Sequence, residues 1–252
     1  ELVRPDVRGV LGLGGKLLGR PAPPRRGAET PAREGGLIDP SGLEDLIERT
    51  IPFERISENV RAGHLEAVTV STTHVASGTT VVFVDARGPL LPTFARDPTT
   101  SARATEIRSC HALASAAIPI LFRAVAIDGS WYCDGGLRQN VPLSPARRLG
   151  ADRVLVVNPR DEATGPLDEG TTGADDAFPG PMFLIGKTLN ALLLDRIDTD
   201  LARLESINRI LEAGERAFGP TFADVLNAEL GRTSGRGLRP MRALMVRAST
   251  DI

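Results

Sequence analysis

The stretch Trp131-Tyr132-Cys133-Asp134-Gly135-Gly136-Leu137-Arg138-Gln139-Asn140-Val141-Pro142 holds the only Trp and the only Tyr of the chain, directly before an acid and two glycines. An apolar run, Val125 to Ile127, leads into it. Two adjacent glycines let the backbone turn sharply where residues with a Cβ would clash. A carboxylate on such a turn at the end of a strand is well placed for chemistry. Taken alone, though, an Asp-Gly pair between two runs reads first as a tight turn with a solvated Asp. The surrounding chain decides between the two.

On the C-terminal side, Pro142 starts a helix that ends at Gly150. Arg153 to Asn158 is apolar through its middle, as expected of a parallel strand covered on both faces. On the N-terminal side, Ala102 to Ala117 reads as a helix rich in small residues, stopped by Pro119, and Ile120 to Ile127 carries the chain to the motif. Asp128 precedes Gly129 and reads as a turn residue. Leu65 to Ser71 and Thr79 to Val84 are rich in β-branched residues, and Ser77-Gly78 between them predicts a hairpin. Asp39 or Ser41 caps a helix from Gly42 to Arg49, and a second helix runs from Phe53 to Ala62 and ends at Gly63.

Further out, Arg20 to Gly36, Gly88 to Thr99 and Arg160 to Pro181 read as loops. Met182 to Ala213 is the longest helical pattern, with Leu and Ile recurring at helical spacing. Thr221 to Leu230 is a further helix, Gly231 to Gly237 a loop and Arg242 to Arg247 a last strand. The pattern is that of one α/β domain over residues 1–252.

Composition removes several function classes. A formal net charge of −2 makes no electrostatic case for nucleic acid, and aromatics at 4% leave little to stack bases on. Lys16 and Lys187 are the only lysines, and the strong preference for Arg suggests a GC-rich bacterial genome. Cys110 and Cys133 are the only cysteines, too few for a disulfide framework or a zinc site, and read as small buried apolar residues. No apolar run has the length of a membrane span and no signal peptide is visible, so a cytoplasmic protein is expected. Leu-rich helix faces would allow peripheral membrane contact, although such faces are more often core.

Two phosphate-loop candidates fail. Gly12-Leu13-Gly14-Gly15-Lys16 has Leu17 where either nucleotide pattern needs Gly, Ser or Thr, and Gly186-Lys187-Thr188 follows its nearest Gly at the wrong distance. The histidines, His64, His74 and His111, all precede Asp134, so a triad in the order Ser, Asp, His has no His to use. They also lack the spacing of a helical metal pair. No cofactor and no metal is expected.

Ala114-Ser115-Ala116-Ala117-Ile118-Pro119, Phe122, Val125, Asp128-Gly129, Tyr132-Cys133-Asp134-Gly135-Gly136 and Asn140-Val141-Pro142 follow in order, with Pro145-Ala146, Leu149-Gly150-Ala151-Asp152 and Val154-Leu155-Val156-Val157 after them. This series resembles the C-terminal half of the patatin-like phospholipase family, most strongly from Ala112 to Asn158. The resemblance implies a three-layer α/β fold with a central, mostly parallel sheet between helices. It implies a lipid acyl hydrolase with a Ser–Asp dyad, acting on lipid or ester substrates. Asp134 would be the acid that serves the nucleophile without His, Gly135 and Gly136 would complete the motif, and Asn140 would brace the turn. A dyad without His agrees with the histidine positions. No Gly-x-Ser-x-Gly occurs in the chain, and Gly231-Arg232-Thr233-Ser234-Gly235 has the wrong spacing. The abrupt start at Glu1 favours a fragment whose nucleophile and oxyanion loop lie upstream. The alternatives are a catalytically inactive binding or scaffold protein on the same fold and, more remotely, a nucleotide-binding α/β domain.

Overall fold

The computed structural model describes residues 4–5, 36–88, 99–137, 143–158, 196–231 and 237–247. The loop expected over Arg20–Gly36 lies outside them save for Gly36, as do both phosphate-loop candidates, the Arg160–Pro181 loop and the first part of the long helical pattern. The chain divides into two compact units, Glu1–Pro145 and Ala146–Ile252.

In the first unit, β1 (Arg4–Pro5) pairs antiparallel with β2 (Ile38–Asp39). The Asp39 carboxylate then accepts from the Ser41 N–H at 3.1 Å, satisfying one of the donors that a helix start leaves open, and α1 (Ser41–Thr50) follows. Next comes α2 (Glu54–Ala62), which ends where Gly63 takes φ of 80°, a left-handed conformation that glycine adopts without strain. The predicted hairpin is present. β3 (Ala67–His74) and β4 (Thr80–Ala86) pair antiparallel with Thr72 opposite Val81 and Val70 opposite Phe83, turning through Gly78 at φ of 64°.

The expected helix over Ala102–Ala117 is corrected in its first half. Thr100–Ala104 is a strand, β5, parallel to β4, and the helix, α3, spans only Ser109–Ala116. Small residues at Ala102 and Ala104 suit a helix locally, but an open β4 edge offers a full set of backbone partners, and pairing outweighs weak propensity. The start of α3 is fixed by His111, whose Nδ1 accepts from the Arg108 backbone N–H at 2.9 Å. β6 (Val125–Ile127) and β7 (Ser130–Asp134) form a second hairpin over Asp128 at φ of 48° and Gly129 at 78°, the turn expected at that pair.

The sheet order is β5-β4-β3-β7-β6. The α/β class stands, but the sheet is mixed rather than mostly parallel: within it only β4–β5 runs parallel. The reason is local. Both hairpins have tight turns, and short connections can only join antiparallel strands. Val81, Phe83 and Tyr132 on one face pack with Ile107, Ala114 and Ile127, with Phe53 just before α2, Ile56 of α2 and Cys110 of α3 around them. Val82 and Val84, on the opposite face of β4, are buried as well, as a layered sheet requires.

Past the 3-10 turn Gly135–Leu137, α4 (Leu143–Arg148) follows, the division between the units falling within it. In the second unit β8 (Arg153–Asn158) pairs in parallel with β9 (Arg242–Arg247), with Leu155 opposite Leu244 and Val157 opposite Val246. β8 lies where expected, but it is not covered on both faces: Val156 is buried while Leu155 and Val157 are exposed. Between them run α5 (Arg196–Phe218) and α6 (Phe222–Glu229). Leu204 and Leu211, seven residues apart, are the buried stripe of α5, and Gly214 leaves room for the Phe222 ring, which stacks on Phe218.

Candidate active site

Asp134 is the last residue of β7, and its backbone is held from β3 and from the end of α3. Its N–H donates to the Ala117 carbonyl just past α3 at 2.9 Å. Its carbonyl accepts from the Thr73 hydroxyl of β3 at 2.9 Å. Thr72 is its register partner across the β3–β7 ladder. The side chain then folds back over the turn, Oδ1 accepting from the Gly136 N–H at 2.6 Å. This is an Asp side chain standing in for a backbone turn, and it fixes one carboxylate oxygen.

Gly135 shows why the motif needs glycine. A Cβ there would lie 2.3 Å from the Ser71 carbonyl oxygen, so no side chain fits between β7 and β3. The constraint is close approach. That same Ser71 carbonyl accepts from the Ser115 hydroxyl of α3 at 2.9 Å, so helix, strand and turn meet at one point. Gly135 is buried and Gly136 half-buried. The structure therefore brings Asp134, Gly135 and Gly136 together, and Asn140 lies outside the described residues.

Burial raises the pKa of the Asp134 carboxyl above its ordinary value, with the Gly136 N–H pulling weakly the other way. The charge finds no cation to balance it: among the described residues no ion pair reaches Asp134. A partly desolvated, unpaired carboxylate is a stronger base than a free one. Its neighbour Cys133 is held the opposite way. Burial, with the Asp134 charge adding to it, pushes the thiol up to about 11, so it stays protonated and unreactive, as a packed residue. Cys110 is also raised by burial, and both cysteines are free.

Tyr132 sits on the Asp134 face of β7 but belongs to the core. Its ring meets Phe83 at 5.2 Å and His74 at 5.4 Å between centroids, so core packing accounts for it. His111 is buried against Phe83, its pKa lowered first by burial and then by Arg108, and its role in starting α3 is structural. Thr73, Ser71, Ser115 and Ala117 support the site without a spacing signal of their own, because they come from β3 and from α3 and its end, apart from Asp134 in sequence. Only Ser115 and Ala117 lie in the series that carries the family resemblance.

Among the described residues no three His, Cys, Asp or Glu side chains are grouped to hold a metal ion, and no helix is long and apolar enough to cross a membrane. A family model described as patatin-like phospholipase matches residues 13–147, more than half of the 252 residues. No curated protein matches the chain.

Proposed function

The chain belongs to the patatin-like phospholipase family, and from that premise we propose that it takes part in hydrolysing acyl esters of lipids, with Asp134 as the base of a Ser–Asp dyad. One observation carries the reading. Asp134 is a backbone-anchored, partly desolvated carboxylate with no counter-ion among the described residues, on a turn that only glycine can follow. The chain holds no Gly-x-Ser-x-Gly, so the nucleophilic Ser has to come from outside these 252 residues.

In this reading the Ser hydroxyl oxygen attacks the ester carbonyl carbon while its proton passes to the free oxygen of Asp134. The tetrahedral intermediate collapses, the C–O bond to the alcohol breaks, and Asp134 returns the proton to the leaving alkoxide. Water then repeats the sequence on the acyl-enzyme. A carboxylate of ordinary pKa, ~3.9, is a weak base for a hydroxyl, and the upward shift at Asp134 narrows that gap. The Gly136 N–H, bound to Oδ1, directs the other oxygen to the reaction. Asn140 is assigned to bracing the turn. The substrate supplies the rest: a lipid ester, with peripheral contact to a membrane surface.

The test is Asp134→Asn and Asp134→Ala in the protein that includes the nucleophile, assayed on a chromogenic acyl ester. Loss of about 10²–10⁴ in turnover with an unchanged circular dichroism spectrum is expected, and near-normal turnover in either variant sinks the reading. A serine-reactive phosphonate should label the active protein at one Ser, and no labelling would favour the scaffold alternative.

The pH dependence has a definite sign. The carboxyl must be ionised to act, so activity falls as pH drops through its raised pKa. Stability runs the other way. The folded state keeps its proton where the unfolded state has lost it, so stability declines as pH rises from the ordinary carboxyl pKa to the raised one. Asp134→Asn should therefore melt above wild type at neutral pH, the difference vanishing in acid below that window.

A further inference from the structure

From the end of α3 the chain runs Ala116-Ala117-Ile118-Pro119-Ile120-Leu121-Phe122, apolar throughout. The run begins at the candidate site, since the Ala117 carbonyl accepts from the Asp134 N–H at 2.9 Å. The Phe122 N–H then closes it into a turn on the Ile118 carbonyl at 2.8 Å. Ile120 lies inside that turn with φ of 73°. A β-branched side chain in the left-handed region crowds its own backbone, so the residue is strained. Asp128, the second non-glycine residue at positive φ among those described, has a local reason for it. It turns the β6–β7 hairpin, and Asp tolerates this conformation. Ile120 turns no hairpin.

The conformation is enforced from outside the turn. The Ile120 carbonyl accepts from the Leu37 N–H at 3.0 Å, and the Leu121 carbonyl from the Ile38 N–H at 2.9 Å. Gly36 lets that segment lie flush, since a Cβ there would fall 2.8 Å from the Arg123 nitrogen and 2.9 Å from the Leu121 oxygen. Arg123, the first charge after the run, is drawn off to Glu44 of α1 at 2.6 Å. The Ile120 side chain itself is 41% exposed, with Ile118, Pro119, Leu121 and Phe122 half-buried around it. A strained apolar residue is thus kept at the surface, where neither turn chemistry nor core packing calls for it. Strain that the surroundings enforce clusters at ligand-binding positions.

We propose that Ile120 is a specificity-determining residue that contacts the fatty acyl chain of the substrate and favours long chains over short ones. The inference rests on the reading of Asp134 as the base of an acyl hydrolase. Ala117 is bonded to Asp134, and the three residues from Ala117 to Ile120 span at most about 11 Å. That is within the length of a long fatty acyl chain whose ester carbon sits at Asp134. The run offers such a chain apolar surface and no charge. Contact withdraws the exposed Ile120 side chain and the methylenes of the substrate from water together. The residue is already open to solvent, so the chain reaches it from outside. Its backbone is fixed before the substrate arrives, so little ordering opposes the contact.

The test is ester hydrolysis by the protein that includes the nucleophile, with Ile120→Asn, Ile120→Gly and Ile120→Leu beside wild type. kcat/KM is measured on p-nitrophenyl acetate and p-nitrophenyl decanoate, and thermal midpoints are taken without substrate. Asn and Gly adopt a left-handed backbone more easily than Ile. Both variants should therefore melt above wild type or no more than about 2 °C below it. Their kcat/KM on decanoate should fall about tenfold further than on acetate, the worth of a methylene or two withdrawn from water. Ile120→Leu keeps an apolar side chain and should hold the decanoate-to-acetate ratio within about threefold of wild type. The inference falls alone if the Asn and Gly variants keep the wild-type ratio, or if Ile120→Leu loses it as fully as Ile120→Asn does. It also falls if Asn and Gly melt further below wild type than that margin, since Ile120 would then be a packing residue. Should wild type hydrolyse neither ester, the reading of Asp134 falls and this inference with it.

Discussion

Val81-Val82-Phe83-Val84 in β4 and Val154-Leu155-Val156-Val157 in β8 are close to the same sequence, and they end in different surroundings. All four residues of the first are at most 3% exposed, whereas in the second Leu155 is 62% and Val157 70% exposed beside a buried Val156. β4 has a strand on each side and α2 against it. β8 has one described strand partner, β9. A run of apolar β-branched residues thus specifies a strand but not how many of its faces are covered. Covering is set by the elements that arrive from elsewhere in the chain. Asp134 is built in the first kind of place, where β3, α3 and β7 converge and fix the backbone of the turn.

The largest effect should come from Phe83→Ala. The ring touches both His111 and Tyr132, at 4.5 and 5.2 Å between centroids, in the middle of the core cluster. Its loss removes the transfer energy of the side chain and leaves a cavity between α3 and the sheet, costing about 3–5 kcal/mol. Urea unfolding measures it. A cost below about 1 kcal/mol would mean that β4 is no better packed than β8, and the contrast would be gone.

Gly135→Ala comes next. It sharpens the comparison, because it asks whether the tightly packed region tolerates any shift at the site. The new Cβ collides with the Ser71 backbone rather than with a flexible side chain. The strand or the turn must move, at about 1–3 kcal/mol. Activity should suffer more than stability, since a displacement of about 1 Å at a reacting group can cost ~10²-fold. Full activity with an unchanged melting point would show that the turn relaxes freely.

These two residues also show what could be read without a structure. Gly135 and Asp134 stand out because local chemistry marks them: an acid and two glycines after a strand. The β3–β4 hairpin, the Gly63 helix end, the Asp128-Gly129 turn and β9 were legible for the same reason, each being signalled within a few residues. β5 was not. Thr100–Ala104 becomes a strand only because β4 offers it an edge, and the alanines there argue locally for helix. Nor was the support of Asp134 legible. Thr73 lies 61 residues before the carbonyl it holds, and Ser115 lies 44 residues from Ser71, separations at which pattern carries no information. Membership of the family was read from an ordered series of such local marks, which is why it survived the errors in between.

The smallest effect should belong to Leu155→Thr in β8. Leu155 faces Leu244 across the ladder, and Val157 faces Val246, and all four side chains are exposed. Thr brings a branched Cβ that suits a strand, so strand propensity does not oppose the change and any cost reports burial. With no covering layer, stability should change by less than about 0.5 kcal/mol in urea unfolding. A single parallel ladder is weakly held by itself, so the pair must draw its stability from the opposite side, where Val156 is buried and Met241 is held by Asn208. Val156→Ala should accordingly cost more than Leu155→Thr, because Val156 is the buried one of the two. If Leu155→Thr instead costs as much as Phe83→Ala, the exposed face is covered in the folded protein. The two apolar runs would then be equivalent after all, with the difference between them lying in what packs against β8.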